Sequence, residues 1–461
     1  MARPRSLCAV YLLAAGTSWA AVCPVVCSGP GPHDTLLSDA LVCAGPDGGV
    51  EVSGACMTRF ALKLRLANQT LAGTCDASIS RILPAPPPSF ATPTAAIILS
   101  AGSSGTTVRD LRLEGAGDGI ANTPASTTTP AGQPDDIRIL GCVVRGGREF
   151  AGDAIRHLGM NGPPFNDIDR CTGTPAGIAT GWVIDGNDLA TEHGSGIVIG
   201  GSRFSVTNNR VRATVNGIAA ENNTKSIAAE PFGSPPANDN NVFIGNVVEV
   251  ASDATVPLGE VSIGLLDVGF PELVLGTPAP DRCDRGYRTR WEKNCFTIIP
   301  DGLDGRDHVV CAAVKGNGST LGSVVVEKNG FTAAPPLVGA PAGNVGFDNS
   351  DAKFIQVLKN TFVGAGDFPF LSLGPAAEGN FHTDNKFGPG FTSDPHFVHD
   401  YGVAHSNCYK GNAYCEAHEE YEGDGVDLAC SHDKPGTTCG GVKAPRCPSP
   451  PASAHCVSSA N

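Results

Sequence analysis

Short apolar runs separated by asparagine and glycine recur along the chain. In FSVTNNRVRATVNGIAAEN (204–222) Val, Ile and Phe alternate with polar residues, and no helical 3.6-residue period is visible. The preceding stretch, GWVIDGNDLATEHGSGIVIGG (181–201), has the same pattern: Asn187 stands two positions before Leu189, as Asn209 stands two positions before Val211. A repeat of roughly 20–50 residues that contains only strands and turns predicts a β-solenoid.

The asparagine signature returns at irregular intervals. Successive asparagines are separated by 22, 37, 83, 31 and 25 residues, so loops of different length must be inserted between coils. In a parallel β-helix with three short strands per coil, we expect these asparagines to adopt the left-handed conformation at turns and to form an amide ladder. The apolar residue two positions later should point inward. An antiparallel sandwich is the alternative, although hairpin spacing is absent. The later members are Asn246–Val248, Asn329–Phe331, Asn360–Phe362 and Asn385–Phe387.

Composition agrees with an all-β chain that carries many loops. Of 461 residues, 58 are Gly and 36 are Pro, and only 17% are charged. The formal net charge of −14 argues against a nucleic-acid partner, because such binders carry basic surfaces. Residues 1–20 have arginines at positions 3 and 5, an apolar run and small residues before Ala20, which predicts a secretory signal peptide. A buried N-terminal helix is the alternative.

The later sequence contains no apolar run of about 18 residues, so no membrane span is predicted. We expect the mature protein to be secreted, whether to the extracellular space, the cell surface or a periplasm. Removing the signal peptide removes Cys8 and leaves 16 of the 17 cysteines, an even number that is typical of a disulfide set in an exported protein. The expected local pairs are Cys142–Cys171 and Cys283–Cys295.

These features predict four segments. A signal peptide occupies residues 1–20, a Cys- and Gly-rich N-terminal cap residues 21–60, the parallel β-helix residues 61–395, and a small Cys-rich C-terminal appendage residues 396–461. The cap is expected because an open first coil would expose unpaired strand edges. Between the coils lie long loops, and functional residues tend to lie on such loops.

One stretch resembles a known superfamily. ALVCAGPDGGVEVSGACMTRFALKLRLANQTLAGT (40–74) is similar to the entry coil of right-handed parallel β-helix repeat proteins, the pectin-lyase-like superfamily. Asn68 stands near the usual Asn-Gly turn, and Gln69 replaces the glycine. The resemblance extends in coils from about residue 40 to residue 390 and indicates no specific member. It implies a right-handed parallel β-helix, a fold that hosts enzymes, binding proteins and structural proteins alike.

A cationic and aromatic segment is the first candidate for binding. RCDRGYRTRWEKNC (282–295) contains Arg285, Tyr287, Arg288, Arg290 and Trp291 in an otherwise acidic chain. Guanidinium groups bind carboxylates bidentately, and flat aromatic rings can stack on sugars. If the flanking cysteines pair, the segment forms a closed clasp for an acidic glycan. The alternative is a surface loop whose arginines pair with neighbouring carboxylates.

Candidate catalytic residues lie on two coils. TEHGSGIVIGG carries Glu192 and His193, and it only partly resembles the Gly-His-Gly strand of inverting polygalacturonases. Their paired aspartates cannot be located here, although an inverting glycosidase needs two carboxylates. In DAIRHLG, strand alternation is expected to place Asp153 and His157 on one face as an acid–base pair, with Arg156 on the other. A solvated polar face is the alternative.

A metal site is the last candidate. DGLDGRD offers Asp301, Asp304 and Asp307, and hard oxygen ligands suit Ca²⁺, the one candidate cofactor. Asp-Gly pairs are also ordinary turn residues.

The leading functional hypothesis is a β-helix protein that contacts extracellular polysaccharide, an acidic one being the candidate partner, without a complete catalytic set. Two alternatives stay open: a polysaccharide lyase or glycoside hydrolase with an unrecognised site, and a structural or adhesive spacer. The sequence assigns no oligomeric state.

Overall fold

The computed structural model describes sixteen segments, whose strands run parallel in three stacks. Residue ranges described are 21–81, 95–122, 134–157, 181–200, 203–220, 241–251, 262–269, 289–299, 309–316, 324–334, 344–350, 352–364, 371–375, 377–388, 396–415 and 419–437. Each coil contributes one strand to each stack, and every strand pairs in parallel with its counterparts in the adjacent coils. This arrangement confirms the predicted parallel β-helix.

The first stack opens each coil. Its strands are β1 (Val22–Cys27), the first half of β2 (Gly49–Thr58), β4 (Thr70–Gly73), β7 (Thr107–Arg109), β10 (Arg138–Leu140), β13 (Val183–Asp185), β16 (Ser205–Thr207), β19 (Val242–Ile244), β22 (Arg290–Glu292), β25 (Val325–Glu327), β28 (Gln356–Leu358), β31 (Phe381–Thr383) and the first half of β34 (Cys408–Cys415).

The second stack follows after a tight turn. Its strands are the second half of β2, β5 (Ser78–Arg81), β8 (Arg112–Glu114), β11 (Val143–Gly146), β14 (Asp188–Thr191), β17 (Arg210–Ala213), β20 (Val247–Ala251), β23 (Cys295–Ile299), β26 (Gly330–Ala333), β29 (Thr361–Gly364), β32 (Lys386–Phe387), the second half of β34, and β36 (His432–Thr437). The long strands β2 and β34 span both stacks and join them into one sheet.

The third stack forms a separate sheet. Its strands are β3 (Leu62–Leu64), β6 (Ile97–Leu99), β9 (Ile120–Asn122), β12 (Ile155–Arg156), β15 (Ile197–Ile199), β18 (Asn216–Ala220), β21 (Ser262–Gly269), β24 (Val309–Gly316), β27 (Asn344–Ser350), β30 (Leu371–Leu373), β33 (His396–Asp400) and β35 (Glu419–Glu422). A 3₁₀ turn, Ala101–Ser103, follows β6.

An asparagine ladder occupies the turn between the first and second stacks. The Nδ2 group of each asparagine donates to the Oδ1 atom of the asparagine in the next coil, as from Asn187 to Asn209 at 2.9 Å. The same Asn209 Oδ1 also accepts the backbone N–H of Asn187 at 3.0 Å. The ladder ends on Asp433, which accepts from Asn412 at 2.9 Å. This confirms the predicted amide ladder. Its members are Asn187, Asn209, Asn246, Asn294, Asn329, Asn360, Asn385 and Asn412.

The expected left-handed conformation belongs to a different residue. The residue before each ladder asparagine has a positive φ, for example Asn208 at 55° and Lys293 at 56°, whereas the ladder asparagines themselves do not. The prediction that the repeated asparagine supplies the left-handed turn is therefore wrong. Its side chain instead satisfies buried backbone N–H and C=O groups, which would be costly to leave unpaired.

One ladder member lies within the 83-residue interval that the sequence left unexplained. Asn294 joins β22 to β23 and bonds to Asn329, with Nδ2 to Oδ1 at 2.9 Å. Phe296, two positions later, is buried like its counterparts. It begins a stack of inward rings spaced about 5 Å apart: Phe296, Phe331, Phe362, Phe387 and Tyr414. The predicted inward position two residues after each asparagine is thus confirmed.

The N-terminal end is closed by a helix that the sequence pattern did not predict. Helix α1 (Asp34–Ala44) buries Leu37 and Leu41. Gln69, which replaces the expected glycine, donates from Nε2 to the carbonyls of Leu41 and Gly45 at 2.9 Å each. It thereby adds a second hydrogen bond to the Leu41 carbonyl, which also accepts the Gly45 N–H at 3.3 Å, and it provides a partner for the Gly45 carbonyl just after the helix end. The disulfides Cys23–Cys43 and Cys27–Cys56 tie α1 and β1 to the first coil.

The predicted boundary of the C-terminal appendage is wrong. Strands β33 and β35 continue the third stack, and β34 and β36 continue the first two, so parallel coils extend to residue 437. The disulfide Cys408–Cys430 lies within these last coils. Among the described residues, no helix is long and apolar enough to cross a membrane.

The predicted Cys142–Cys171 pair is also wrong. Cys142 is a buried free thiol at the turn between β10 and β11, and its backbone N–H donates to Asn187 Oδ1 at 2.8 Å. It therefore holds a ladder position in a coil that lacks the asparagine. Cys171 and Cys283 lie outside the described residues, and Cys295 is disulfide-bonded, so the Cys283–Cys295 pair remains a prediction. Cys311, in β24, is a second buried free thiol.

Candidate functional site

Charged side chains cover the outer surface of the coils between β8 and β17. Because successive residues of a strand point to opposite faces, Leu113, Val144 and Val211 fill the core while their charged neighbours face outward. We name five arginines that form ion pairs on this surface the arginine face: Arg112, Arg145, Arg148, Arg156 and Arg212.

Two carboxylates each hold two of these guanidinium groups. Glu114 contacts Arg112 at 2.7 Å and Arg148 at 3.3 Å. Asp188 contacts Arg145 at 3.1 Å and Arg212 at 3.3 Å, although the two arginines come from coils on either side of it. Arg145 Nη1 also donates to the Asp188 backbone carbonyl at 3.0 Å. These contacts fix the guanidinium orientations across four coils.

The arginines also set the ionisation of Asp188. Burial acts to raise its pKa, but the hydrogen bond and charge of Arg145, together with those of Arg212, outweigh burial and lower the pKa below its usual value. Asp188 therefore stays ionised and remains a permanent anchor for both cations.

A second cluster lies at the bend between the second and third stacks. Arg156 places Nε 3.6 Å from Asp153 Oδ2 and Nη1 3.9 Å from Asp118 Oδ2. The remaining carboxylate oxygens accept backbone N–H groups from the next coil: Asp118 Oδ1 from Asp153 at 2.9 Å, and Asp153 Oδ1 from Ser195 at 2.8 Å. Burial raises the pKa of Asp118, against the opposing effects of Arg156 and the Asp153 N–H.

Glycine allows the coils to stack closely at this bend. A Cβ on Gly152 would lie 2.4 Å from the Gly117 carbonyl carbon, and one on Gly194 would lie 2.2 Å from the Gly152 carbonyl oxygen. Both distances are shorter than van der Waals contact, so only glycine fits. The aspartates of successive coils are consequently brought within hydrogen-bonding reach of the next backbone.

The predicted Asp153–His157 pair is wrong. His157 is only 1% exposed and packs its ring against Trp182 at 4.9 Å and Phe204 at 5.1 Å. Its Nδ1 accepts the Gly200 N–H at 3.3 Å, and burial lowers its pKa to about 3. Asp153 precedes β12 in the bend, where strand alternation does not apply, and it pairs with Arg156 instead.

Glu192 and His193 lie in the same bend one coil further along. Glu192 is exposed and His193 is half-buried, and the His193 carbonyl accepts the Gly152 N–H at 2.9 Å. The structure therefore places these two predicted residues one coil beyond Asp153, while it separates His157 from them.

Only part of the predicted cationic clasp lies within the described residues. Trp291 is fully buried and stacks on Phe243 with ring centroids 3.6 Å apart, so its predicted contact with sugar is wrong. Arg290 lies on the outer side of β22 and contacts Glu292 at 2.7 Å. Arg285, Tyr287 and Arg288 lie outside the described residues.

The predicted calcium ligands also lie outside the described residues: Asp301, Asp304 and Asp307. Within the described part of the chain, no group of three or more His, Cys, Asp or Glu side chains is arranged to hold a metal ion.

Sequence reasoning missed most of the arginine face. The strands RDLRLE, CVVRGGRE and NRVRAT each place arginine at outward positions beside inward Leu or Val, and this alternation was a usable signal. The sequence of a strand does not show which coil the strand occupies. The contacts of Asp188 with arginines of two other coils depend on that order of coils, so they could not be predicted.

Comparison with solved structures finds several similar chains at low sequence identity. The A-module of an Azotobacter vinelandii mannuronan C-5 epimerase is 13% identical, with 88% of this chain and 94% of that chain covered and a TM-score of 0.34. A Streptomyces thermodiastaticus α-1,3-glucanase catalytic unit is 11% identical over 92% and 72% of the two chains, with a TM-score of 0.44. An Aspergillus tubingensis endo-xylogalacturonan hydrolase is 11% identical over 91% and 100%, with a TM-score of 0.39.

At such identities the similarity concerns the fold alone. No family model matches the chain, and no curated protein matches it. The strand pairing of the described residues shows a parallel β-helix, as the sequence resemblance implied, and no specific family is indicated.

Proposed function

We propose that this chain is a secreted protein that binds acidic polysaccharide on its arginine face. The observation that carries the proposal is the orientation of four guanidinium groups by two carboxylates, Glu114 and Asp188, on the outer surface of consecutive coils. A guanidinium group presents five N–H donors in a planar fork that matches a carboxylate.

In two of these ion pairs, only one terminal nitrogen of the guanidinium group contacts the carboxylate. Arg148 contacts Glu114 through Nη1, and Arg212 contacts Asp188 through Nη2, each by one terminal nitrogen. A uronate carboxylate could accept from the other nitrogen without displacing the internal partner. Pre-oriented side chains lose less conformational entropy on binding than free ones, which favours affinity.

The repeat of the coils supports a polymeric ligand. Arg145 and Arg212 share one register position two coils apart, with Ala190 of β14 between them. Because adjacent strands of a sheet are about 4.8 Å apart, the strands of these two arginines are about 10 Å apart along the helix axis. A polymer that carries carboxylates at a regular repeat offers a row of anions to such a row of cations. The net charge of −14 makes this concentration of arginine stand out from the rest of the surface.

A catalytic role is the second candidate, and one observation favours it. Asp118, whose pKa burial raises, lies beside Asp153, and Arg156 contacts both. A carboxyl with a raised pKa beside a second carboxyl is the pairing that glycoside hydrolases use. In this role Asp118 would protonate the leaving oxygen and Asp153 would act as the base or nucleophile, with Glu192 and His193 one coil away.

One screen tests both candidates. The mature chain, from residue 21, is incubated with uronate-rich and neutral polysaccharides, with and without Ca²⁺, and both binding and product release are measured. Binding to uronate polymers without product supports the first proposal. Unsaturated or reducing-end product establishes the catalytic one and directs mutagenesis to Asp118 and Asp153. The absence of both favours a structural spacer.

A further inference from the structure

A groove of about 620 Å³ lies beside helix α1, at the N-terminal end of the third stack. It is separate from the arginine face and from the Asp118 bend. Its volume is within the range of roughly 300–1,000 Å³ that is usual for small-molecule sites. The side chains that matter below are Val42, Phe60, Leu66, Ile98, Lys63 and Arg65.

The floor and walls of the groove are apolar. Ile98 points outward from β6, and in the strand register it stands between Lys63 of β3 and Ala121 of β9. Val42 is 77% exposed and Phe60 is 67% exposed, although both are large hydrophobic side chains. Leaving this much apolar area in water is unfavourable, and a contiguous exposed patch marks a site of interaction.

Phe60 is held in place rather than left loose. Its backbone N–H and that of Arg59 both donate to the carboxylate of Asp34, at the start of α1, at 3.0 Å each. The same helix supplies Val42 on the opposite wall. The two exposed walls are therefore fixed relative to each other before any ligand arrives, which reduces the entropic cost of binding.

The charged residues that line the groove are all cationic, and the other polar ones, Ser38 and Gln69, are neutral. Lys63, Arg65 and Arg81 line it, and none of the described lining residues is acidic. The stem of Lys63 runs beside Ile98, so its ammonium group stands at the edge of the apolar floor. In a chain of net charge −14, three cations on one apolar groove select for a negatively charged ligand.

We propose that this groove binds an amphipathic anion, namely a single acyl chain that ends in a carboxylate. The acyl chain would lie on Ile98 between Val42, Phe60 and Leu66, and the carboxylate would contact Arg65 and Lys63. A sugar is a poorer fit, because the walls are mainly aliphatic. The site is independent of the polysaccharide proposal, since it shares no residue with the arginine face.

The experiment is a calorimetric titration of the intact mature protein with dodecanoate. Two parallel titrations use dodecyl maltoside, which has the chain without the charge, and glucuronate, which has the charge without the chain. Variants Arg65→Glu and Phe60→Ser alter the groove. The matched controls Arg109→Glu and Phe381→Ser alter an exposed arginine and an exposed phenylalanine elsewhere.

Dodecanoate should bind the wild type and both controls alike, and each groove variant should weaken binding about tenfold or more. Dodecyl maltoside and glucuronate should bind at least about tenfold more weakly than dodecanoate. Equal affinity in wild type and Arg65→Glu would overturn the proposal. So would the absence of dodecanoate binding to the wild type.

Discussion

Two buried histidines should make the β-helix lose stability in mild acid. His382 is fully buried, stacks on Tyr409 with ring centroids 5.0 Å apart and meets the edge of Phe347 at 5.7 Å. His157 occupies a similar aromatic site. Burial lowers the pKa of each imidazole from 6.5 to about 3. A charged ring in either site would be desolvated without a partner.

The sign and size of the effect follow from proton binding. Between pH 3 and pH 6.5 the unfolded chain binds a proton at each imidazole that the folded chain excludes, so the free energy of unfolding rises with pH. Stability from this source is present above pH 6.5 and is lost as the pH falls. From pH 7 to pH 5 the loss is about 2 kcal/mol for each histidine and about 4 kcal/mol for both.

Urea denaturation at pH 7, 6 and 5 measures this loss in the wild type, His382→Phe and the double variant with His157→Phe. Phenylalanine fits the aromatic surroundings and cannot titrate, so the double variant should lose about 4 kcal/mol less than the wild type between pH 7 and 5. Buried Asp400 and Asp433, whose pKa values burial raises, act in the opposite direction, but they are common to all variants and cancel. Parallel pH profiles in wild type and double variant would refute the reasoning.

Three further predictions concern the ladder and the free thiols. Asn294→Ala should lower the free energy of unfolding by about 2–4 kcal/mol, since it leaves buried backbone groups unpaired. Exposed Asn208→Gly should cost less than about 1 kcal/mol in the same urea titration, because glycine tolerates the positive φ and stands at this turn in other coils, as Gly186 and Gly245 do. Cys142→Asn should raise the unfolding midpoint by extending the ladder to Asn187, and a lower midpoint would show that the site does not accept an amide. Burial raises the pKa of Cys142 and Cys311 to about 12, so a thiol reagent at pH 8 should label them only after unfolding; rapid labelling of the native chain would contradict their burial.

The periodic part of the fold could be predicted because asparagine forms the same hydrogen bonds in eight consecutive coils, from Asn187 to Asn412. Asn209 and Asn246 satisfy equivalent backbone groups, and Val211 and Val248 fill equivalent core positions. Because the same backbone groups must be paired in each of these coils, the same residue type recurs in the sequence. Helix α1 occurs only once in the chain, at the N-terminal end, so it produces no repeat that could predict it.

The predictions for Cys142 and Trp291 were wrong because cysteine and tryptophan each occur in two different structural roles. Oxidised cysteines are typical of exported chains and favour a disulfide at Cys142, but this residue fills a ladder position as a small buried side chain. The charged neighbours of Trp291 favour a position in an exposed cationic loop. In β22, however, alternation turns it inward while Arg290 and Glu292 point out.

The candidate site was the least predictable part. Asp188, Arg145 and Arg212 are adjacent only because their strands occupy successive coils, and the inserted loops hide that register from the sequence. Asp118 and Asp153 meet Arg156 for the same reason. Contacts between coils depend on three-dimensional register, whereas contacts within a strand depend on alternation alone.

The most direct test of the proposed polysaccharide surface compares polygalacturonate binding by the wild type, the double variant Arg145→Ala/Arg212→Ala and the control Arg290→Ala. The double variant removes two guanidinium groups from one row, and Arg290 forms a similar surface ion pair several coils away. The account predicts a loss of affinity of about tenfold or more in the double variant and an unchanged control. Unchanged affinity in the double variant would contradict it, and a loss in Arg290→Ala alone would move the binding surface to the 282–295 segment.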